Sequence, residues 1–205
     1  LKTCHEEEEG NWKDGIVSGG IYANDADLRK LCADTYALFS LSNPLHSDLF
    51  YHTARIEAEV VRMVATMFNG DEETCGNITS GGTESICLAM KAYRDWGEAT
   101  KGITEPNIII SSSAHAAFVK AGQFFKIDVK RVPMLPNGQA DVDTIEKNIN
   151  SDTVCIVGSA PQFPQGTMDP IAKMSDVAQR NGIGLHVDAC LGSFVVAHME
   201  KAGFQ

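Results

Sequence analysis

The feature that most constrains this chain is a series of short, apolar, β-branched runs separated by helical patterns. Residues 107–111, 129–133, 153–158 and 183–187 have strand length, while 114–125, 141–149 and 169–181 carry helical spacing. A strand apolar on both sides is buried on both faces, and parallel strands need a crossover between them. The alternation therefore predicts an α/β architecture, a mostly parallel sheet with helices on both faces.

Upstream the rhythm is helical. Asn24 or Asp25 can cap a helix to Ser40, with Leu28, Leu31, Thr35, Leu38 and Phe39 on one face. Ser42-Asn43-Pro44 breaks it. Ile56, Val60, Met63, Val64 and Met67 mark a second helix, closed by Asn69-Gly70. Ile86, Ala89, Met90 and Tyr93 mark a third, after a turn at 79–83. Residues 1–12 are polar and acidic and read as a loose lead-in, and Ser18-Gly19-Gly20 reads as a flexible loop.

Composition narrows the functional classes. Lys and Arg number 17 against 27 Asp and Glu, a net charge of -10, which argues against a nucleic-acid partner. No apolar run approaches the roughly 20 residues of a membrane span. The acidic first residues do not resemble a secretory signal. With no initiator Met and an abrupt stop after Gly203-Phe204-Gln205, the sequence reads as a piece of a longer protein. The six cysteines form no C-x-x-C pair, so no metal site is expected. Cys87, Cys155 and Cys190 fall in apolar patterns and are expected to be buried, reduced thiols, as suits a reducing compartment.

Several segments have chemical potential. Thr79-Ser80-Gly81-Gly82-Thr83-Glu84-Ser85 leads into a helix. Glycines, hydroxyls and free helix N–H groups make an anion cradle suited to phosphate. The same residues also suit an ordinary turn capped by Thr83 or Ser80. His186-Val187-Asp188-Ala189 ends a strand, where α/β sheets collect ligands. Asp188 there needs a cationic partner such as a protonated pyridine nitrogen, unless it caps the next turn or pairs with His186 on a metal. His115, after Ser111-Ser112-Ser113-Ala114, either stacks on an aromatic cofactor and serves as acid or base, or sits in solvent in a first helical turn. Asn43 and His46 either bind an anionic substrate group or belong to turn chemistry. Tyr22 is a phenol donor or a packed aromatic, and 160–164 is a site wall or a rigid loop. Together, a phosphate cradle, a ring-stacking His and a carboxylate for a ring nitrogen are three parts of one cofactor site.

Segments 75–85, 111–120, 161–166 and 186–204 resemble the sphingosine-1-phosphate lyases, a family of fold-type-I pyridoxal-phosphate (PLP) enzymes near the amino-acid decarboxylases. TSGGTES with H-x-D-A marks the wider group; NPLH, HVDACLG and MEKAG mark the lyases more narrowly. The resemblance covers nearly everything from Gly15. It implies a fold-type-I PLP-dependent transferase-like large domain, present in part over 53–205 after an N-terminal segment 1–52 bearing a substrate-side loop. It implies PLP as cofactor, with Gly82 and Thr83 on its phosphate and His115 over the ring. Asp188 would pair with the ring nitrogen and Cys190 would lie toward the opposite face. Tyr22, Asn43 and His46 would contact the substrate phosphate, and Gln162 and His186 would stand behind the cofactor. The activity implied is carbon–carbon lysis of a phosphorylated sphingoid base to a long-chain aldehyde and phosphoethanolamine. The rivals are an amino-acid decarboxylase and a non-catalytic scaffold of the same fold.

The resemblance also implies a homodimer with a shared site. In eukaryotes it implies an anchor in the endoplasmic reticulum membrane with the catalytic part in the cytosol, and otherwise a cytoplasmic enzyme. One departure stands out. The family's cofactor-anchoring lysine lies in a His-Lys pair after H-x-D-A, and this sequence has no such pair; Lys201, in MEKAG, is in the wrong context. The anchor is expected beyond Gln205, and the stretch alone is expected to be inactive.

Overall fold

The structure, a computed structural model, describes residues 2–14, 20, 23, 25–190 and 192–204. The chain divides into two compact units, with the boundary between Val64 and Ala65. The first holds α1 (Lys2–Glu9), α2 (Ala26–Phe39) and most of α3 (Tyr51–Met67). The lead-in expected to be loose is helical over α1, whose second half is a run of Glu, a good helix former. Asp25 is the residue that caps α2, its Oδ1 accepting from Leu28 N–H at 2.9 Å. No side chain of α1 or α2 is buried within the described chain.

The second unit opens with the end of α3, where Asn69 adopts a left-handed φ of 58° and closes the helix as its Asn-Gly sequence predicts. It continues through α4 (Gly82–Lys101), β1 (Asn107–Ser111), α5 (Ala117–Phe125), β2 (Asp128–Val132), α6 (Val142–Lys147), β3 (Thr153–Ser159), α7 (Ile171–Asn181), β4 (Gly184–Asp188) and α8 (Ser193–Val196). The four strands form one sheet in the order β2-β1-β3-β4, every pair parallel. The α/β expectation is met.

Side-chain parity builds the two layers. Ile108 and Ile110 of β1 and Cys155 and Val157 of β3 pack with Ile86, Met90 and Phe118 from α4 and α5. Ile109 and Ile156 point the other way, toward Ile145, Met174 and Val177 of α6 and α7. Phe118 is fully buried, worth about 1.5–3 kcal/mol relative to exposure. Asp141 caps α6 by accepting from Thr144 N–H at 3.0 Å.

Several boundaries differ from expectation for identifiable reasons. The second strand stops at Val132, since Pro133 has no N–H to continue a ladder. The helix expected from residue 114 starts at Ala117, because the preceding turn is tied by its own side chains. The helix expected from residue 169 starts at Ile171. Asp169 is instead a buried clamp: its carboxylate accepts from Ala140 N–H at 2.7 Å and from Ser159 N–H at 2.8 Å. The last strand runs one residue further than expected, which places Asp188 inside it. Of the thiols expected to be buried, Cys155 is buried and Cys87 half-buried, but Cys190 is exposed, since it lies past the strand end.

One contact joins the layers near the site. A Cβ on Gly184 would stand 2.1 Å from Cε1 of Tyr93, so the ring of α4 reaches β4 only over a glycine. Gly184→Ala is expected to cost about 1–3 kcal/mol in denaturant unfolding of the full-length protein, as overpacking does, and less in a Tyr93→Leu background. Asp169→Ala is expected to cost about 1–3 kcal/mol for each buried N–H it leaves unpaired, read by the same unfolding curves.

Candidate active site

The carboxyl ends of the four strands share one edge of the sheet, because all pairs are parallel. Three chemical features of the second unit lie there: the turn entering α4, the loop after β1, and the end of β4.

The turn entering α4 is braced internally. Ser80 donates both its N–H and its hydroxyl to Glu84 Oε2, each at 2.6 Å. The Thr79 and Ser85 hydroxyls share a hydrogen bond of 2.6 Å. Neither Ser80 nor Thr83 caps the helix; Gly81 occupies that position, with no side-chain cap. The first-turn N–H groups of Gly82 and Thr83 therefore lie beyond reach of any intrahelical carbonyl. They face outward at the positive end of a 20-residue helix. The Ser80 hydrogen bonds hold the Glu84 carboxyl below its usual range, so it stays an acceptor locked onto the turn. Sequence reasoning gave Glu84 no role, although a Glu in the first turn after a Ser is a capping signal.

The loop after β1 is fixed from several sides. Ser112 N–H donates to Val132 O at 2.8 Å, and Arg131 Nη2 donates to Ser112 O at 3.0 Å. The Ser111 and Ser113 hydroxyls bond at 2.8 Å. His115 Nδ1 accepts from Ala117 N–H at 3.0 Å. With Nδ1 an acceptor, the neutral imidazole carries its proton on Nε2, and the exposed ring keeps that nitrogen for a ligand. Arg131 is a second residue that sequence reasoning missed.

Asp188 pairs with Ser159 at the end of β4, and its backbone oxygen accepts from Ala160 N–H at 2.8 Å. Its Oδ1 accepts from Cys190 N–H at 3.3 Å. Parity puts Gly184, His186 and Asp188 on the face that α4 and α5 cover. The ring contacts agree: His186 lies 5.5 Å from the Phe118 ring and 6.5 Å from that of Tyr93, both edge-on. A Cβ on Gly82 would lie 3.5 Å from Cys190 Sγ, so the cradle and the strand end adjoin.

The remaining residues are placed as follows. Gln162 is buried in the loop after β3, where its Nε2 donates to Gly138 O while its Oε1 has no partner among the described residues. Asn43 and His46 belong to the first unit. There Asn43 Oδ1 accepts from Leu45 N–H at 3.1 Å and Asn43 O from His46 N–H at 3.1 Å, so turn chemistry is present in that loop. Tyr22 lies outside the described residues. Among the described residues no group of His, Cys, Asp and Glu is placed to hold a metal ion.

The donor set of the second unit fits PLP. Outward N–H groups and a hydroxyl at a helix start suit its phosphate, the bare Cα of Gly82 leaves room, and a carboxylate on the same face suits its ring nitrogen. The fold and this site suit a PLP-binding domain.

The chain belongs to the aminotransferase class-V family, whose model matches residues 40–199. It is 48% identical to the sphingosine-1-phosphate lyase of Drosophila melanogaster, over 100% of this chain and 37% of the relative. It is 46% identical to sphingosine-1-phosphate lyase 1 of Mus musculus, over 96% of this chain and 34% of that protein. A solved sphingosine-1-phosphate lyase from Burkholderia pseudomallei superposes with a TM-score of 0.95 at 37% identity, over 100% of this chain and 48% of that one. A Lactobacillus brevis glutamate decarboxylase shares the fold, with a TM-score of 0.74 at 24% identity, over 96% of this chain and 49% of its own. The chain thus spans about a third to a half of the length of these relatives.

Thr83→Val removes a hydroxyl from the cradle without changing side-chain shape. In the full-length protein it is expected to weaken PLP binding about tenfold, the worth of a charge-assisted hydrogen bond, in an absorbance titration, with no loss of cofactor-free thermal stability beyond about 1 kcal/mol.

Proposed function

We propose that the full-length protein is a PLP-dependent aldehyde-lyase that cleaves phosphorylated sphingoid bases to a long-chain aldehyde and phosphoethanolamine. The observation that carries this reading is the meeting of cradle and strand end at Gly82 and Cys190, in a chain 48% identical to a sphingosine-1-phosphate lyase.

Bound PLP supplies an electron sink for the pair released when the C2–C3 bond breaks. Gly82 and Thr83 hold its phosphate through backbone N–H groups and the Thr83 hydroxyl. Asp188 keeps a proton on the ring nitrogen, which lets the ring accept charge. His115 would lie against one ring face, its Nε2 free to give or take a proton, and Cys190 would lie toward the other. Asn43 and His46, with Tyr22, take the substrate phosphate; the Asn43 turn bond occupies only its Oδ1, leaving the amide N–H groups to donate. Gln162 and His186 stand behind the cofactor. The anchoring lysine lies outside these 205 residues, since Lys201 is the sole lysine after Asp188 and lies in MEKAG, not His-Lys. The isolated stretch is accordingly without turnover.

In the same reading the protein is a homodimer whose subunits share the site. A eukaryotic parent sits on the endoplasmic reticulum with its catalytic part in the cytosol, and a bacterial one in the cytoplasm. No described helix is long and apolar enough to cross a membrane.

The test gives the full-length protein a phosphorylated sphingoid base and, separately, aromatic and acidic amino acids. Aldehyde and phosphoethanolamine are expected from the first. Release of CO2 from an amino acid with no aldehyde from the lipid would overturn the lyase in favour of a decarboxylase. Asp188→Asn is expected to lower kcat about a hundredfold or more, the scale of losing one preorganised electrostatic group.

A further inference from the structure

His186 is a titratable group within the site that the reaction above leaves unused. It stands two residues before Asp188 on the same face of β4. The Phe118 ring of α5 meets it edge-on at 5.5 Å and the Tyr93 ring of α4 at 6.5 Å. Tyr93 is itself held, its hydroxyl donating to Leu185 O at 2.9 Å, and the bare Gly184 lets it lie against the strand. The part-buried imidazole is thus flanked edge-on by two rings, each fixed by the core.

The electrostatics around the imidazole are simple. From α4 it meets the Tyr93 ring, from α5 the Phe118 ring, and from its own strand the Asp188 carboxylate, while the Cys155 thiol of β3 bonds to the His186 backbone. The nearby α4 charges Arg94 and Asp95 pair with one another. Burial pushes both Tyr93 and Cys155 up, so both stay neutral through the physiological range. Burial also lowers the His186 imidazole below its usual value, with the Asp188 charge pulling the other way. His186 is therefore neutral at pH 7 and gains charge only in acid.

We propose that His186 is a positioning residue for Asp188: its uncharged, flanked ring leaves that carboxylate free of a protein cation and available to the cofactor's ring nitrogen, and its protonation in acid loosens the cofactor. A cation at His186 would compensate Asp188 and repel the protonated ring nitrogen, both of which weaken the pairing. The sign follows. The grip is complete above the imidazole's own pKa and declines as pH falls through it. The inference rests on the PLP reading of the site.

The experiment measures PLP dissociation constants for the full-length protein between pH 8 and pH 5, by absorbance and by 15N chemical shift of ring-labelled cofactor. Wild type and His186→Phe are compared, the latter keeping an aromatic ring in that place. His186→Gln serves as a second uncharged replacement should the first fail to fold, as judged by cofactor-free thermal unfolding. Wild type is expected to lose affinity about tenfold more than either variant over that range, the effect of one neighbouring charge on a buried ion pair. The ring-nitrogen signal of the variants should keep its protonated position to lower pH than wild type. Equal pH dependence in wild type and a folded variant overturns the role of His186 while leaving the PLP reading intact. Failure of every form to bind PLP at any pH overturns the PLP reading itself.

Discussion

The alternation of side chains along the parallel strands is the constraint on which the rest of this structure depends. In β1 and β3 it sends Ile108, Ile110, Cys155 and Val157 to one layer and Ile109 and Ile156 to the other. Both layers are covered by helices, so a slip of one residue would gain nothing and would misplace every chemical group at the strand ends. In β4 the same parity points Gly184, His186 and Asp188 to the layer of α4 and α5. The site is thus an extension of the core pattern past the point where the core ends. Asp188 stands at the edge of the apolar layer, where it is only half-buried.

α4 serves that site twice. Its first turn forms the cradle beside Cys190, and its Tyr93 lies over Gly184 and against His186. Gly82 and Tyr93 are eleven positions apart, about 16 Å along the helix axis. The helix and β4 therefore run in opposite senses and meet at the helix start and again past its middle. The helix start and the end of β4 are held at a set separation by two regular elements, which is a more precise support than loops alone provide. The loop carrying His115 gains comparable definition from bonds to Val132, Arg131 and Ala117.

The turn chemistry of these segments leaves polar groups uncommitted. His115 accepts a backbone N–H at the start of α5, and that bond decides which ring nitrogen keeps the proton. Asn43 makes a turn bond through its oxygen and retains its amide donors. At the turn entering α4 the side-chain cap is absent, since Ser80 is committed to Glu84, and this is why the N–H groups of Gly82 and Thr83 remain outward.

By itself, the sequence determined the order of elements from α2 to β4, the parallel sheet and the motifs of the site, though neither α1 nor α8. Each of these rests on local pattern: β-branched runs, helical spacing, Asp25 and Asp141 as caps, and glycines before a helix. Only the tertiary structure decided that Asp169 is a buried clamp and no part of a helix, that Cys190 is exposed beside Gly82, and that Tyr93 and Phe118 flank His186. It also moved the end of β4 onto Asp188. The physical reason is the same in each case. Strand register and helix packing join residues far apart in the chain, and no local pattern records which backbone N–H a distant carboxylate will meet or which helix a strand face will see.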